Sequence, residues 1–163
     1  MKIAVFIGSD SDFDIAKEAV SVFKEFGVSF HLEVTSAHRS PERTKKLVSD
    51  LEKQGVEIFI AVAGKAAHLA GVVASHTHKP VIGVPVGGAA LGGLDALLST
   101  VQMPKGVPVA CMGIGKSGAV NAALLSVEIL SLQDESIAEK LATYREKMVK
   151  SVEQASKKIK ERI

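Results

Sequence analysis

The chain has few of the residues that stack on nucleic-acid bases or cross-link small secreted domains. Its 163 residues contain no tryptophan, one tyrosine (Tyr144) and one cysteine (Cys111). A lone cysteine excludes an internal disulfide framework and the paired cysteines of zinc modules. With a formal net charge of only +2, the scarcity of aromatics argues against a nucleic-acid partner. No apolar run is long enough to span a membrane and no signal-peptide pattern precedes the first strand, so we expect a cytoplasmic protein without a membrane partner.

Short apolar runs alternate with segments of helical periodicity along the whole chain. The length suits one domain with a substantial core. The apolar runs predict five strands, at residues 2–7, 28–34, 56–62, 81–84 and 107–112,. The intervening segments predict helices that end near residue 26, at about 41–54, at 64–76, at 94–99 and at 117–132, and a charged helix at about 136–162,.

This alternation is typical of a parallel sheet that is covered by helices on both faces. We therefore predict a three-layer α/β/α fold, a flavodoxin-like doubly wound five-stranded parallel sheet, in one domain over residues 1–163. The last helix carries only a narrow apolar stripe, from Ile137 through Leu141, Tyr144 and Met148 to Val152. It either docks on a neighbouring subunit or lies solvated on its own sheet.

Four strand-to-helix loops should meet at one edge of this sheet, at residues 8–12, 36–39, 64–71 and 85–93. Ligands bind at that edge in open parallel sheets. The second loop carries His38 and Arg39, just before a helix start marked by Ser40 and Pro41. Histidine can move a proton near neutral pH, and arginine can hold a phosphate with two parallel hydrogen bonds. Taken alone, the pair would be read as an ordinary solvated loop.

The loop Gly8-Ser9-Asp10-Ser11-Asp12 combines a glycine, two hydroxyls and free backbone N–H groups at a helix start. That combination binds anions such as phosphate, while Asp12 could bind a sugar hydroxyl. The alternative is that Ser11 or Asp12 only caps the helix. His68 either packs within its helix or contacts a polar ligand edge. The remaining histidines lack metal-ligand spacing and are read as structural: His31, His76 and His78,.

Residues 113–118 formally match the G-x-G-x-x-G pattern. The dinucleotide fingerprint belongs in the first strand-helix turn and is followed by another strand, which this segment lacks. A phosphate-binding P-loop is excluded because Ala110 stands where a glycine is required. We expect a tight turn that lets the following helix pack closely.

Five motifs together carry a family resemblance: Gly8-Ser9-Asp10-Ser11-Asp12, Ser36-Ala37-His38-Arg39, Ala66-Ala67-His68-Leu69, Gly83-Val84-Pro85-Val86 and Ser99-Thr100-Val101-Gln102-Met103-Pro104. In this order and spacing they resemble the class I N5-carboxyaminoimidazole ribonucleotide mutase family. The resemblance implies a flavodoxin-like homo-octamer in purine biosynthesis, with the C-terminal helix packed on a neighbour. It implies movement of a carboxylate from an exocyclic nitrogen to ring carbon C4, with no cofactor and no metal.

The resemblance also implies the site. His38 falls on the catalytic histidine, which would protonate the departing nitrogen and later remove the C4 proton, a role typically worth ~10²–10⁴-fold in rate. Carbon dioxide released in between would be held beside C4. The implied substrate-binding residues are Ser9, Asp12, Ser36, Arg39, Gly64, Lys65, Ala67, His68 and Leu69.

Two departures from the family pattern are Lys65, where a small residue is usual, and Ala70, where proline is common. Two alternatives stay open from the sequence. The class II relative carboxylates aminoimidazole ribonucleotide directly, but it typically has lysine where this chain has Arg39. A non-catalytic nucleotide or flavin module on the same fold would need a Thr-rich phosphate loop and flanking aromatics, which this chain lacks.

Overall fold

A computed structural model of the chain describes residues 1–88 and 90–162. Its five strands are β1 (Ile3–Ile7), β2 (Phe30–Val34), β3 (Ile58–Gly64), β4 (Val81–Val86) and β5 (Ala110–Cys111). Every pairing is parallel, in the order β2-β1-β3-β4-β5. This is the flavodoxin-like order, which reverses direction between β1 and β3. The predicted α/β fold is confirmed.

The helices are α1 (Phe13–Phe26), α2 (Pro41–Lys53), α3 (Leu69–Ala74), α4 (Leu94–Val101), α5 (Lys116–Ser131) and α6 (Glu135–Lys160), with a 3₁₀ turn over Asp10–Asp12. Local sequence sets several of these ends. Gly27 closes α1 in the left-handed conformation with a φ of 71°, which suits glycine. Pro41 occupies the first turn of α2, where its missing N–H costs nothing.

The core lies on both faces of the central strands, because successive side chains along a strand point to opposite faces. On one face Phe6 and Phe59 belong to a buried cluster with Val48 of α2, Leu69 of α3 and Ala96 of α4. On the other face Phe23 of α1 is fully buried, and its ring centroid lies 5.7 Å from that of Phe30. Continuous apolar strands are thus covered by helices on both sides, as the sequence predicts.

Two elements differ most from the prediction. Helix α3 begins at Leu69 rather than at residue 64, because Gly64 still pairs with Val86 in the β3–β4 ladder and Lys65 has a φ of 55°. Strand β5 covers Ala110–Cys111 only. The chain before it makes a turn, in which Val107 N–H donates to the Pro104 carbonyl over 3.3 Å.

The G-x-G-x-x-G segment is a tight turn at the start of α5, as expected. A Cβ on Gly118 would lie 1.7 Å from the Gly113 carbonyl oxygen, so no larger residue fits without moving the backbone. Gly115 N–H donates to the Pro85 carbonyl over 2.9 Å. Residue 89 of the predicted loop 85–93 lies outside the described residues.

The chain divides into two units that are each compact, Met1–Ser126 and the residues from Val127 onward. The first unit contains the sheet. In the second, Asp134 is the N-cap of α6, and its carboxylate accepts a hydrogen bond from Ile137 N–H over 3.2 Å. Arg145 pairs with Glu128 at 2.7 Å. Within the described part of the chain, no helix is both long and apolar enough to cross a bilayer.

Candidate active site

A cavity of about 490 Å³ opens at the carboxyl edge of the sheet, beside β1, β2 and β3. This is the switch point of the strand order, where ligands bind in such sheets. The lining residues come from three loops: Gly8, Ser9, Ser11, Asp12, Ser36, Ala37, His38, Arg39, Ala63, Gly64, Lys65, Ala66, His68 and Leu69. Of the predicted fourth loop, no described residue lines the cavity, because β4 lies one strand beyond the switch point.

Arg39 ties the second loop to the first. Its Nη2 donates to the Gly8 carbonyl over 2.9 Å, and its backbone N–H donates to Ser36 Oγ over 3.2 Å. The guanidinium has five N–H donors, so most of them stay available to a ligand. A positive charge is therefore held between the two loops by the fold itself.

The start of α2 is anchored by hydroxyl groups. Thr35 Oγ1 and Thr44 Oγ1 form a buried hydrogen bond of 2.7 Å between the end of β2 and the helix. Ser36 N–H donates to Ser40 Oγ over 3.1 Å. These contacts fix the loop that carries His38 and Arg39, because they bond its beginning to Thr44 of α2 and to the N-cap residue Ser40.

The two carboxylates of the first loop have different surroundings. The Asp10 carboxylate accepts hydrogen bonds from Ser9 Oγ at 2.9 Å and from Ser11 N–H at 3.0 Å, and the Ser9 hydroxyl bond is the main reason that its pKa is lowered. Asp12 is only 8% exposed, and burial raises the pKa of its carboxyl. Asp12 stands at the N-cap of α1 without a side-chain cap bond. Its Oδ1 accepts a hydrogen bond from Ser11 Oγ over 3.5 Å, and the carboxylate has further lone pairs for a ligand.

Two imidazole rings meet across the cavity. His38 Nε2 lies 2.8 Å from His68 Nδ1, and the rings are edge-on, with centroids 4.9 Å apart and planes at 78°. His68 is the N-cap residue of α3, and its carbonyl accepts from Val72 N–H over 2.9 Å. The packed-helix interpretation of His68 is wrong, because its ring faces the ligand cavity.

The third loop folds back tightly after β3. Ala67 N–H donates to the Lys65 carbonyl and His68 N–H to the Ala66 carbonyl, both over 2.8 Å. Among the residues that the structure describes, Lys65 alone has a positive φ without being glycine. This turn places the side chain of His68 over the cavity.

These loops belong to a recognisable family. The family model described as AIR carboxylase matches residues 2–151. The chain belongs to the AIR carboxylase family. It is 55% identical over 159 residues to the N5-carboxyaminoimidazole ribonucleotide mutase of Methanocaldococcus jannaschii, covering 98% of both chains. It is 43% identical over 160 residues to the mutase of Thermotoga maritima, covering 98% of this chain and 92% of that one.

A solved structure has the same fold. The crystal structure of Treponema denticola PurE superposes with a TM-score of 0.87 at 27% identity, over 96% of each chain. The family assignment and the flavodoxin-like architecture expected from the sequence motifs are therefore confirmed.

The cavity of this AIR carboxylase family member brings together almost all the residues that the motifs implied. His38 and the implied binding residues line it, with one exception: Ala67 is 2% exposed and packs in the core. The site residues implied by the resemblance do not include five others that line the cavity: Gly8, Ser11, Ala37, Ala63 and Ala66. Small apolar residues carry no chemical signal, since they contribute shape and backbone only.

A second hollow of about 310 Å³ adjoins the main cavity and shares Gly8, Ser9, Ser36 and Arg39 with it. Its remaining lining residues are Asp10, Val34, Thr35 and Ser40. Arg39 therefore borders two adjoining spaces. Within residues 1–88 and 90–162, no group of three or more His, Cys, Asp or Glu side chains could hold a metal ion.

Proposed function

We propose that the protein is an N5-carboxyaminoimidazole ribonucleotide mutase, an isomerase of purine biosynthesis. It converts N5-carboxyaminoimidazole ribonucleotide to 4-carboxy-5-aminoimidazole ribonucleotide. The observation that carries the proposal is the position of His38, which shares one cavity with an arginine, a serine-rich loop and a desolvated carboxylate. Relatives at 43–55% identity over 98% of the chain have this name.

The ligand's three parts have matching surroundings. Arg39, Ser9 and Ser36 would hold the phosphate, since a guanidinium and hydroxyls give charge-assisted hydrogen bonds. Asp12 would accept a hydrogen bond from a ribose hydroxyl. The aminoimidazole ring would lie against residues 64–69, with Lys65, Ala67, His68 and Leu69 on that side. Ala67 would act through its backbone position because its side chain is buried.

The reaction takes one proton from His38 and later returns a different proton, from C4, to it. The His38 imidazolium protonates the exocyclic nitrogen as the nitrogen–carboxylate bond breaks, which releases carbon dioxide and aminoimidazole ribonucleotide. C4 of the ring then attacks the trapped carbon dioxide. His38 removes the C4 proton, and the C–H electron pair restores the aromatic ring. Holding carbon dioxide beside C4 makes recombination effectively unimolecular, and no cofactor or metal is needed to balance these steps.

We propose that residues 1–163 act as one catalytic domain that assembles into a cytoplasmic homo-octamer, with α6 as the arm that packs on a neighbour. Exposed apolar side chains support assembly. On α4, Leu94, Leu98 and Val101 are each about half exposed, and on α6 Met148 and Val152 are exposed. A second copy of the chain would remove this apolar surface from water.

The test compares two substrates with the purified protein. We expect conversion of the N-carboxylated ribonucleotide to be much faster than carboxylation of aminoimidazole ribonucleotide with bicarbonate. If the second reaction is as fast or faster, the protein is a direct carboxylase. If neither occurs while the ribonucleotide binds, it is a non-catalytic binding module.

A further inference from the structure

The hydrogen bond between His38 Nε2 and His68 Nδ1 correlates the protonation of the two rings. A neutral imidazole has one N–H donor and one acceptor nitrogen. A single proton therefore lies between the two nitrogens, which are 2.8 Å apart. Because Nε2 of His38 is occupied by this bond, Nδ1 is the nitrogen that remains for a ligand.

The two rings form no other polar contact that would explain their pairing. In the described residues, neither ring has a second side-chain hydrogen bond, and both side chains are exposed at the cavity. An exposed hydrogen bond contributes little to folding, since water competes for both partners. The pairing therefore has more to do with the cavity's chemistry than with holding α3 in place.

We propose that His68 is a positioning residue that acts through His38: its Nδ1 accepts the Nε2–H of His38 and so keeps the reacting lone pair on His38 Nδ1. This inference rests on the proposed mutase function. It assigns the proton shuttle to a single atom, and it gives His68 a role beyond lying beside the substrate ring.

The proton balance shows why the direction of this bond matters. The His38 imidazolium gives its Nδ1 proton to the departing nitrogen and becomes neutral. If Nε2–H stays bonded to His68, the lone pair is left on Nδ1, facing the C4 proton that must next be removed. The opposite tautomer would put a proton on Nδ1 and block that step.

The same bond stabilises the charged form of His38. When Nδ1 takes the C4 proton, the new imidazolium still donates Nε2–H to the neutral His68 ring. In serine hydrolases a carboxylate behind the catalytic histidine fixes its tautomer and stabilises its cation in this way. Here a neutral imidazole occupies that position, and a bound ligand that covers the cavity would exclude the competing water.

Three variants separate this role from substrate binding. His68→Phe keeps a ring but removes the acceptor, and we expect kcat to fall roughly 10- to 100-fold, below the full ~10²–10⁴-fold of general acid–base catalysis. His68→Asn places an amide where Nδ1 was and should recover most of that loss. His76→Asn removes an exposed imidazole that does not line the cavity and is the control that should leave kcat unchanged.

Product affinity should change little in all three variants. A His68→Phe variant with normal kcat and weakened binding would overturn the proposal.

A spectroscopic readout tests the tautomer without turnover. The protein, labelled with ¹⁵N in its histidines, is sedimented and measured by magic-angle-spinning NMR at a pH where both rings are neutral. His38→Asn and His68→Phe assign the signals. We expect His38 to be protonated at Nε2 and not at Nδ1, with His68 Nδ1 unprotonated, and we expect this preference to be lost in His68→Phe. A proton on His38 Nδ1 in the neutral wild type would overturn the proposal. An inactive protein with the expected spectrum would instead contradict the mutase function.

Discussion

His38 is the residue on which the proposed chemistry depends. Replacing it by asparagine keeps a polar side chain of similar shape but removes the group that exchanges the proton. We expect His38→Asn to bind the product within a few-fold of wild type while turnover falls by roughly 10²–10⁴-fold. Isothermal titration calorimetry and initial rates measure the two quantities separately. Full activity in this variant would remove His38 from the mechanism.

Lys65 adopts a backbone conformation that favours glycine, with a φ of 55°. A left-handed conformation costs a residue with a Cβ about 1–2 kcal/mol. Glycine avoids this cost, but it loses more conformational entropy on folding, which offsets part of the gain. Lys65→Gly should therefore raise the free energy of unfolding by about 0.5–1 kcal/mol, measured by denaturant titration. Lys65→Ala is the matched control, because it shortens the side chain and keeps the strain. Equal stability of the two variants would show that the conformation costs nothing here.

Asp12 makes stability depend on pH in a direction that its burial sets. Because burial raises the pKa of this carboxyl above its unfolded value, the folded chain binds more protons than the unfolded chain between the two values. Asp12 therefore lowers stability as the pH rises through that window, and the penalty stays in place at neutral pH. Asp12→Asn should be more stable than wild type at pH 7, with a difference that shrinks below about pH 4. A difference that grows on acidification would contradict this reading.

At the scale of elements, the buried hydrogen bond between Thr35 and Thr44 joins the end of β2 to α2, next to the loop that carries His38. Thr44→Val removes one partner and leaves the other hydroxyl buried without a bond, which costs about 1–3 kcal/mol. The double variant Thr35→Val/Thr44→Val should recover part of this loss, because neither hydroxyl then remains. Thermal or denaturant unfolding of the four proteins gives the coupling energy. Strictly additive losses would mean that the two hydroxyls do not act as a pair.

The bounds of the helices and strands show what could be predicted from sequence. The end of α1 is predictable from sequence, because Gly27 is a local signal that closes a helix,. Helix α3 was predicted too long, because pairing of Gly64 with Val86 is a tertiary contact that local composition does not reveal. The bond between His38 and His68 joins residues 30 positions apart, so no local pattern predicts it. The contact between the two rings can be expected only once the strand order brings the loops after β2 and β3 to the same cavity.

At the scale of the whole molecule, the apolar side of α4 should be covered by another copy of the chain. Leu94 and Leu98 are one helical turn apart and about half exposed. We expect Leu94→Glu/Leu98→Glu to shift the protein from the proposed octamer to smaller species, because burying two carboxylates in an apolar contact is costly. Light scattering after size-exclusion chromatography measures the mass, and Lys45→Glu on the exposed side of α2 is the charge control. An unchanged mass would place the subunit contact elsewhere.

The most direct test of the account is a crystal structure of the protein with its product, 4-carboxy-5-aminoimidazole ribonucleotide. We predict that the ligand fills the cavity between the loops that follow β1, β2 and β3. Its phosphate should contact the Arg39 guanidinium, and its C4 should face Nδ1 of His38, while Nε2 keeps its bond to His68. A ligand bound outside this cavity, or an imidazole of His38 turned away from C4, would contradict the account.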